Sequence, residues 1–535
     1  MYWARALDPE TIGSMNVIGL GGLLDDAACA LAIDGRITAA VEQEKISRRY
    51  APGGLPLEAI EETLRLGKLK PAQINVVALA RPFAAGADSL ITLRVKQVFP
   101  NARFPVVDHH MAHAMSAAYG TAKASDGATI LTLDRAGDLR CSARWRFAGG
   151  ELQLEKESYF PDSVGDIYGR VTELLGFTAR ADEHKVQWMS AAGGDRFVAL
   201  FEEILGFRAT AWPAIDRSYL DQDRMGAGGF SAQFYDALGL KDGQKIDDKV
   251  AADVAAGMQR ALENCVLAMA GDGEELRLAG GVAFNAFLIR CLEKSGRWKR
   301  VVVQAAAGNA GTALGAALIG SAKPVAIASL GLGPEYGMGE IKQVLENCKL
   351  SPKLLLTVED LVQTALAELA ENRIIAWMQG PMEFGPRALG NRSILASPRD
   401  PYATENLNSF IKHRESFRKF AASVPAEFAS QYFEFGGNAR YLSSVAEVKP
   451  EHRELFSPAL LGASTIRLHV VEKSENPLFH KLLTAAGEAT GLPVLYNTSF
   501  NLFGDPLVCS PRDAVRSFYS SGIDVLFVGQ YLLRK

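Results

Sequence analysis

The sequence has little cysteine, and its cysteines are not paired. Six cysteines are scattered over 535 residues without a C-x-x-C pair, so neither a disulfide framework nor a zinc knuckle is indicated. Long apolar runs are also missing, because no stretch approaches the roughly 20 residues of a membrane span. The opening MYWARALDPE lacks the basic and apolar regions of a signal peptide. We therefore expect a cytoplasmic protein without a membrane partner.

An excess of charge of one sign is absent as well. The 57 Lys and Arg residues nearly balance the 61 Asp and Glu residues, and the net charge is −4, which argues against a nucleic-acid partner. The motifs G-x-x-x-x-G-K-[ST], H-E-x-x-H and G-x-S-x-G do not occur. The sequence therefore gives no sign of a P-loop, a zinc-peptidase helix or a hydrolase nucleophile elbow.

A three-stranded pattern occurs twice in the first part of the chain. The segments NVIGLGGLLDDAACALAIDGRITAAVEQE and ATILTLDRAGDLRCSARWRFAGGELQLEKE each predict a strand, an acidic turn, a second strand, a glycine turn and a third strand. A β-meander repeated in two lobes is how the actin-like ATPase fold begins, although two unrelated meanders would give the same pattern. Later glycine turns in LRLAGGVAFNAFL and VVVQAAAGNAGTALGAALIG precede helices and favour the actin-like interpretation, since backbone N–H groups there can hold phosphate.

These patterns predict an α/β protein with two domains. The periodicity breaks around SLGLGPEYGMGE and NCKLSPKLL, before an amphipathic helix resumes at TVEDLVQTALAELAENR. We therefore expect a first domain over residues 1–355, with lobes at about 1–160 and 161–355, and a second domain over residues 356–535.

Basic residues concentrate in the second domain. QGPMEFGPRALGNRSILASPRD contains Arg387, Arg392 and Arg399, and NSFIKHRESFRKF follows with Lys412, Arg414, Arg418 and Lys419. Guanidinium forks match phosphate or carboxylate oxygens two at a time. Solvated surface charge is the alternative, but the interleaved phenylalanines favour a helix that buries one face and directs its cations to one place.

A second concentrated signal is PVVDHHMAHAMSAAYG. His109 and His113 are four residues apart, which places both imidazoles on one face of a helix that Asp108 could cap. Two imidazoles with small alanines beside them indicate a pair of ligands for one divalent metal ion. The alternative is a pair of histidines that only packs at a helix start, and we expect a structural or supporting role for His110.

Six motifs together resemble one protein family. They are HHMAHAMSAAY, LAGGVAFNAFL, AAAGNAGTALGAAL, QGPMEFGPRALGNRSILASPRDP, IKHRESFRKFAASV and TGLPVLYNTSFN, and they span nearly the whole chain in family order. The sequence resembles the carbamoyltransferase family that includes the NodU nodulation proteins and the O-carbamoyltransferases of antibiotic biosynthesis, such as the tobramycin and cephalosporin enzymes.

The resemblance implies a fold and a two-part activity. The N-terminal domain is expected to be an actin-like (ASKHA) two-lobe domain, similar to the enzymes that complete threonylcarbamoyl-adenosine on tRNA. The C-terminal domain is expected to be a YrdC-like α+β domain that condenses carbamoyl phosphate with ATP, in the presence of Mg²⁺, to carbamoyl adenylate and pyrophosphate. The N-terminal domain would then move the carbamoyl group to a hydroxyl of a small-molecule acceptor in biosynthesis.

The resemblance also implies roles for individual residues. The expected catalytic residues are Asp25, Asp26, Arg387, Arg392, Lys412, Arg418 and Ser499. The expected carbamoyl phosphate and ATP contacts are Arg387, Arg392, Lys412, Arg414, Arg418, Arg467, Asn497, Thr498, Ser499 and Asn501. The expected nucleotide cradle of the N-terminal domain is Asp134, Gly137, Asp138, Gly280, Gly281, Asn285 and Gly308. The expected ligands of a divalent metal, expected to be Fe²⁺, are His109, His113 and Asn309.

Four positions depart from the family pattern. Asp25 stands where the family has a histidine, and an exposed aspartate with a pKa near 3.9 is a weak base. Asn309 stands where the family has a metal-binding aspartate, and Phe503 stands where it has an arginine. Lys419, which replaces a proline, is expected to restore some of the lost positive charge.

The departures leave two alternatives to the carbamoyltransferase. One is a nucleotide-binding, transfer-deficient paralogue that acts as a regulatory or partner subunit. The other is an enzyme that passes the carbamoyl group to an amine. A homodimer is the default expectation for a soluble enzyme, and a complex with a paralogue is the alternative.

Overall fold

The chain folds around three mixed or antiparallel β-sheets with helices packed on them. The computed structural model describes residues 15–80, 89–321, 323–502 and 504–535. Phe503, at which the sequence departs from the family pattern, lies outside the described residues. Two sheets have five strands each and the third has ten, so the predicted α/β class is confirmed.

The first sheet contains the first predicted meander. Its strands are β1 (Asn16–Gly21), β2 (Ala28–Ile33), β3 (Arg36–Glu42), β4 (Val76–Ala80) and β5 (Val106–Val107), and its helices are α1 (Gln43–Ser47), α2 (Leu57–Gly67) and α3 (Ser89–Val98). The strand order is β3-β2-β1-β4-β5, with β1–β3 antiparallel and β4 and β5 parallel to β1. Asp34 and Gly35 connect β2 to β3 and both have positive φ angles, as a tight hairpin turn requires.

The second sheet repeats this topology. Its strands are β6 (Ala128–Gly137), β7 (Arg140–Ala148), β8 (Glu151–Tyr159), β9 (Gly273–Ala279) and β10 (Trp298–Val303). The order β8-β7-β6-β9-β10 matches the first sheet strand for strand, so the predicted duplication is present. The second meander therefore opens the second sheet, which begins with β6 at residue 128, and the lobe boundary at about residue 160 stays a prediction. The sequence pattern located the strands but could not show that β6 pairs with the distant β9.

Two helices lie between these sheets. Helix α4 (His109–Ala118) and helix α11 (Thr312–Ile319) share a core with Val17 of the first sheet and Ile130 of the second. A Cβ atom on Gly315 would lie 1.8 Å from the Ala112 carbonyl oxygen, so glycine is needed for this close approach. The remaining helices of this part are α5 (Val164–Leu174), α6 (Glu183–Met189), α7 (Val198–Leu205), α8 (Ala232–Leu238), α9 (Asp248–Ala270) and α10 (Ala286–Lys294).

The third sheet belongs to the C-terminal part of the chain. Its order is β11-β20-β19-β12-β13-β18-β14-β17-β16-β15. The strands are β11 (Lys353–Leu354), β12 (Ile375–Met378), β13 (Arg392–Ala396), β14 (Ala421–Pro425), β15 (Phe433–Glu434), β16 (Val445–Val448), β17 (Thr465–Val471), β18 (Leu495–Ser499), β19 (Val525–Val528) and β20 (Tyr531–Arg534). The helices are α12 (Met338–Asn347), α13 (Val358–Ala370), α14 (Ala403–Asn406), α15 (Ala426–Tyr432), α16 (Pro477–Thr490) and α17 (Pro511–Tyr519). Two apolar clusters pack among these elements.

The domain boundary near residue 355 and the YrdC-like character of the C-terminal part stay predictions. Strand β11, at residues 353–354, pairs with β20 near the end of the chain. None of the described helices is long and apolar enough to cross a membrane.

A buried lysine joins the first sheet to the C-terminal part. Lys45 of α1 donates hydrogen bonds to the carbonyl oxygens of Glu383 at 2.9 Å and Gly385 at 2.7 Å. It also pairs with Glu42, whose carboxylate accepts from the Gly385 N–H at 3.2 Å. The side chains of Lys45 and Glu42 are only 2% and 7% exposed, so this polar contact is shielded from water.

Substitution Lys45→Met should strongly destabilise the protein. It leaves the Glu42 carboxylate buried without its cation, which costs about 3–5 kcal/mol. Urea unfolding followed by circular dichroism measures the loss. Lys299→Met is the matched control, because Lys299 pairs with Glu274 at the surface and its side chain is 78% exposed. The control should change stability by no more than about 0.5 kcal/mol, and equal effects of the two substitutions would contradict a special role for Lys45.

Candidate functional site

The predicted histidine pair lies at the start of helix α4. Asp108 caps this helix by accepting a hydrogen bond from the Met111 N–H at 2.7 Å, as predicted. Arg140 holds the capping carboxylate at 2.9 Å. The four-residue spacing then places His109 and His113 one above the other, with ring centroids 4.6 Å apart.

Asp134, at the end of β6, completes a cluster with both histidines. Its Oδ2 atom lies 3.0 Å from the Nε2 atoms of His109 and His113, which are themselves 3.1 Å apart. Ligands bound at about 2.1 Å and at right angles around a divalent ion would lie about 3.0 Å apart. The carboxylate oxygen can accept a hydrogen bond from the N–H of each ring, but then neither Nε2 atom is left to accept a hydrogen bond from the other ring. The arrangement fits a cation at the centre, and two imidazoles with one carboxylate are a ligand set suited to Fe²⁺.

Burial and charge act together in this cluster. Burial lowers the pKa of His113, and Asp134 opposes that effect only in part. Burial alone would raise the pKa of Asp134, but the two histidines hold it well below its ordinary value. The result is a carboxylate beside neutral imidazole, which is the protonation state that metal ligands need. His110 lies apart from this set, 2.8 Å from the Thr132 hydroxyl and 3.0 Å from the Arg140 carbonyl oxygen.

Several residues predicted for a nucleotide cradle also shape this cluster. The Gly281 N–H donates to Oδ1 of Asp134 at 2.6 Å. A Cβ atom on Gly137 would lie 2.3 Å from the His109 ring, and one on Gly280 would lie 2.2 Å from the Leu133 carbonyl oxygen. The sequence did not show that β6 brings Asp134 beside α4, and its part in a nucleotide cradle stays a prediction.

The other members of that predicted cradle lie nearby in the fold. Asn285 caps α10 by accepting from the Leu288 N–H at 3.0 Å, and Asp138 forms the turn between β6 and β7 with φ 64°. Gly308 packs against the Phe284 ring. Asn309 begins a short 3-10 helix before α11, and its membership of the metal site stays a prediction.

The acidic turn between β1 and β2 holds the two predicted catalytic aspartates. Burial, together with the charges of Asp25, Glu44 and Glu42, raises the pKa of Asp26 to about 7. Burial also raises the pKa of Asp25, although Arg180 opposes this effect. The aspartate at the family's histidine position is thus not an ordinary exposed carboxylate, and the stronger shift falls on its neighbour.

Four predicted arginines come together on the C-terminal side, and we call them the arginine cluster. Its members are Arg387, Arg414, Arg418 and Arg467. Burial lowers the pKa of Arg467 well below its ordinary value, and the other three members lower it further. Burial likewise lowers the pKa of Arg387 to about 10, and burial with the charge of Arg418 lowers that of Arg414 to about 9.

Acidic side chains are nearly absent from the arginine cluster. Among the ion pairs of the described residues, only that between Arg418 and Glu415, at 3.8 Å, involves a member of the cluster. Arg414 instead lies over the Phe420 ring at 4.5 Å and donates to Asn408. Partly buried cations without acidic partners are stabilised by an anion, so the arrangement fits an anionic ligand.

Helix α6 of the N-terminal part forms a wall of the arginine cluster, and the sequence analysis missed this contribution. Arg467 lies over the Trp188 ring at 5.1 Å. Lys185 pairs with Glu415 at 2.9 Å. His184 lies close enough to the arginines for Arg418, Arg387 and Arg467 to lower its pKa, after burial, to about 3. No motif in ADEHKVQW predicts these contacts, because they form only when segments distant in the sequence pack together.

Two of the cations predicted to bind ligand make hydrogen bonds within the protein. Arg392 is completely buried and donates to the carbonyl oxygens of Gln379, Gly380 and Pro334 at 2.8–3.0 Å. These bonds brace the start of β13, and a contact of Arg392 with carbamoyl phosphate or ATP stays a prediction. Lys412 ends a π-helical turn, Leu407–Lys412, and its amine donates to Ser499 and Asn501, so it holds the turn after β18.

The polar residues of the NTSFN turn are also tied to one another. The Ser499 hydroxyl donates to the Asn501 side chain at 2.7 Å. Asn497 donates to the Ala388 carbonyl oxygen at 3.2 Å, next to Arg387 in the chain. Thr498 pairs with Ile394 in the sheet. These contacts place the turn beside the loop that carries Arg387.

Replacement Asp134→Ala should abolish tight metal binding. Loss of a metal ligand should cost at least the roughly 10- to 100-fold in affinity that loss of a ligand's hydrogen-bond partner costs. Elemental analysis of the purified protein and titration with Fe²⁺ measure the change. Asp272→Ala, at a side chain that is 78% exposed, should bind metal like the unmodified protein. Metal retained equally by both variants would contradict the assignment.

Comparisons with known proteins agree with the motifs. Residues 85–318 match the family model for the carbamoyltransferase N-terminus, and residues 366–535 match that for the carbamoyltransferase C-terminus. The nodulation protein NolNO of Sinorhizobium fredii is 30% identical over 96% of this chain and 79% of its own length. An uncharacterised protein of Synechocystis sp. is 29% identical over 97% of both chains.

A relative with a named reaction matches part of the chain. The 3'-hydroxymethylcephem-O-carbamoyltransferase of Amycolatopsis lactamdurans is 36% identical over 30% of each chain. Because two successive family models match, and NolNO aligns over nearly the entire sequence, this chain belongs to the carbamoyltransferase family.

Proposed function

We propose that the protein forms carbamoyl adenylate from carbamoyl phosphate and ATP at the arginine cluster and then transfers the carbamoyl group to a hydroxyl of a small-molecule acceptor. The observation that carries this proposal is the meeting of Arg387, Arg414, Arg418 and Arg467 with a single carboxylate partner among them. Carbamoyl phosphate and ATP, with its Mg²⁺, would bring the negative charge that these cations lack.

The first half of the reaction needs clustered positive charge. Water cleaves carbamoyl phosphate to carbamate and inorganic phosphate. A carbamate oxygen then attacks the α-phosphorus of ATP, and the bond to the bridging oxygen breaks to release pyrophosphate. The first step produces two anions from one, and the second brings one of them to ATP, so positioned guanidinium groups stabilise both steps. Lys412 contributes by holding the turn of Ser499 and Asn501 in place.

The second half needs a base and a polarised carbonyl. The acceptor's hydroxyl oxygen attacks the carbonyl carbon of carbamoyl adenylate, the bond to the AMP oxygen breaks, and the hydroxyl proton passes to a base. Asp26 suits this role because its pKa is raised to about 7. His109, His113 and Asp134 would hold a divalent metal, for which Asn309 is a further candidate ligand. When bound, this metal supplies Lewis-acid polarisation of the carbonyl group.

The transfer-deficient alternative is less well supported. The three ligand atoms of the metal cluster converge at about 3 Å, and the acidic turn keeps a carboxyl group with a raised pKa. The relatives include a nodulation protein and a 3'-hydroxymethylcephem-O-carbamoyltransferase. The O-carbamoyltransferase favours a hydroxyl over an amine as the acceptor. We propose that the protein acts on a small molecule without a nucleic-acid or membrane partner.

Replacement Arg467→Gln should slow carbamoyl adenylate formation. Loss of one positioned charge should lower kcat by about 10²- to 10³-fold, measured as carbamoyl-phosphate-dependent release of pyrophosphate from ATP. The control is Arg399→Gln, because Arg399 instead donates to the Thr490 carbonyl group and should retain full activity. If the unmodified protein released no pyrophosphate in this assay, the proposed function would be refuted.

Replacement Asp26→Asn should block transfer while pyrophosphate release continues. General-base loss lowers rates by about 10²- to 10⁴-fold. Asp26 accepts a proton only when ionised, so the transfer rate should rise as pH increases through about 7, the value to which burial and the neighbouring Asp25, Glu44 and Glu42 raise its pKa. A screen of hydroxylated metabolites with labelled carbamoyl phosphate supplies the acceptor. An unchanged pH profile in the variant would exclude Asp26 as the base.

A further inference from the structure

His184 presents an unused hydrogen-bond acceptor at the arginine cluster. Its Nδ1 atom lies 3.0 Å from the Ala181 carbonyl oxygen. A carbonyl oxygen can only accept, so Nδ1 must carry the proton and Nε2 must carry the lone pair. Nε2 is shielded from solvent and has no hydrogen-bond partner in the protein. A buried acceptor without a partner is costly unless a ligand satisfies it.

The position of His184 on helix α6 directs it toward the arginine cluster. Trp188 is four residues further along α6 and therefore on the same helix face, and Arg467 lies over its ring at 5.1 Å. Lys185, the next residue, pairs with Glu415, which also pairs with Arg418. Burial and the surrounding arginines lower the pKa of His184 to about 3, so the imidazole is neutral at physiological pH.

The chemistry of the arginine cluster explains why an acceptor is needed. Guanidinium groups only donate hydrogen bonds, so they recognise the phosphate and carbonyl oxygens of an acyl phosphate. They cannot recognise the amino group that distinguishes carbamoyl phosphate from acetyl phosphate. We propose that His184 Nε2 accepts a hydrogen bond from the carbamoyl amino group and thereby selects carbamoyl phosphate over other acyl phosphates. This inference rests on the proposed function of the arginine cluster.

A second buried acceptor offers the competing assignment. Asn497 Oδ1 also has no hydrogen-bond partner, while its amide nitrogen is held by Ala388 and Ser423. His184 is favoured because the charges of Arg387, Arg418 and Arg467 act on its ring directly. The two residues are distinguished by substituting each one separately.

The test compares His184→Phe, which removes the acceptor but keeps a planar ring, with His184→Gln, which keeps an acceptor oxygen. For each full-length protein, the KM for carbamoyl phosphate and the inhibition constant of acetyl phosphate are measured in the pyrophosphate-release assay. Loss of one buried hydrogen bond should raise the KM of His184→Phe about tenfold or more. The inhibition constant of acetyl phosphate should stay within about twofold, because acetyl phosphate has no amino group to bind. His184→Gln should recover part of the selectivity.

The outcomes separate this inference from the proposed function. A parallel change in both constants for His184→Phe would indicate a structural role and overturn the inference, as would selectivity lost in Asn497→Leu but kept in His184→Phe. Unmodified protein that neither releases pyrophosphate nor binds carbamoyl phosphate in calorimetry would refute the proposed function, and the inference with it. His452→Phe, at a histidine whose ring centroid lies 4.8 Å from that of Tyr432, controls for the loss of an imidazole elsewhere.

Discussion

The guanidinium groups of Arg387, Arg414, Arg418 and Arg467 repel one another, and the protein holds them together where its two halves meet. Each is partly withdrawn from water, and among the ion pairs of the described residues one carboxylate, Glu415, pairs with one of them, Arg418. Such an arrangement persists only because well-packed segments fix the backbone on every side. Helix α6 contributes from the N-terminal part, and strand β17 contributes from the C-terminal part. The packing of the surrounding segments therefore keeps these guanidinium groups together despite their mutual repulsion.

The region around α6 also connects the two proposed reaction sites. Arg180, just before α6, opposes the effect of burial on the pKa of Asp25. His184, within α6, lies close to the arginine cluster. Lys45 adds a second connection, since α1 follows the acidic strand end at Glu42 and binds the backbone at Glu383 and Gly385. A labile adenylate benefits from such closeness, because transfer without release into water avoids hydrolysis.

The cluster of His109, His113 and Asp134 depends on the duplicated fold. Strand β6 of the second sheet brings Asp134 to the N-terminal end of α4, and α4 lies between both sheets against α11. Small residues make this possible, because side chains at Gly137 or Gly315 would collide with His109 or with the Ala112 backbone. Gly137, which was predicted for a nucleotide cradle, thus leaves room for the His109 ring beside Asp134.

The sequence alone determined the α/β class, the repeated meander, the capped histidine helix and the family. These features are local or carried by long motifs, so periodicity, capping chemistry and residue order are sufficient to predict them. Tertiary structure alone decided that Asp134 joins the histidines, that Arg392 and Lys412 bind backbone carbonyl groups, and that His184 lies beside the arginine cluster. The physical reason is that a side chain's partner depends on which distant segments pack together, and burial, which sets both pKa and the need for a partner, exists only after that packing.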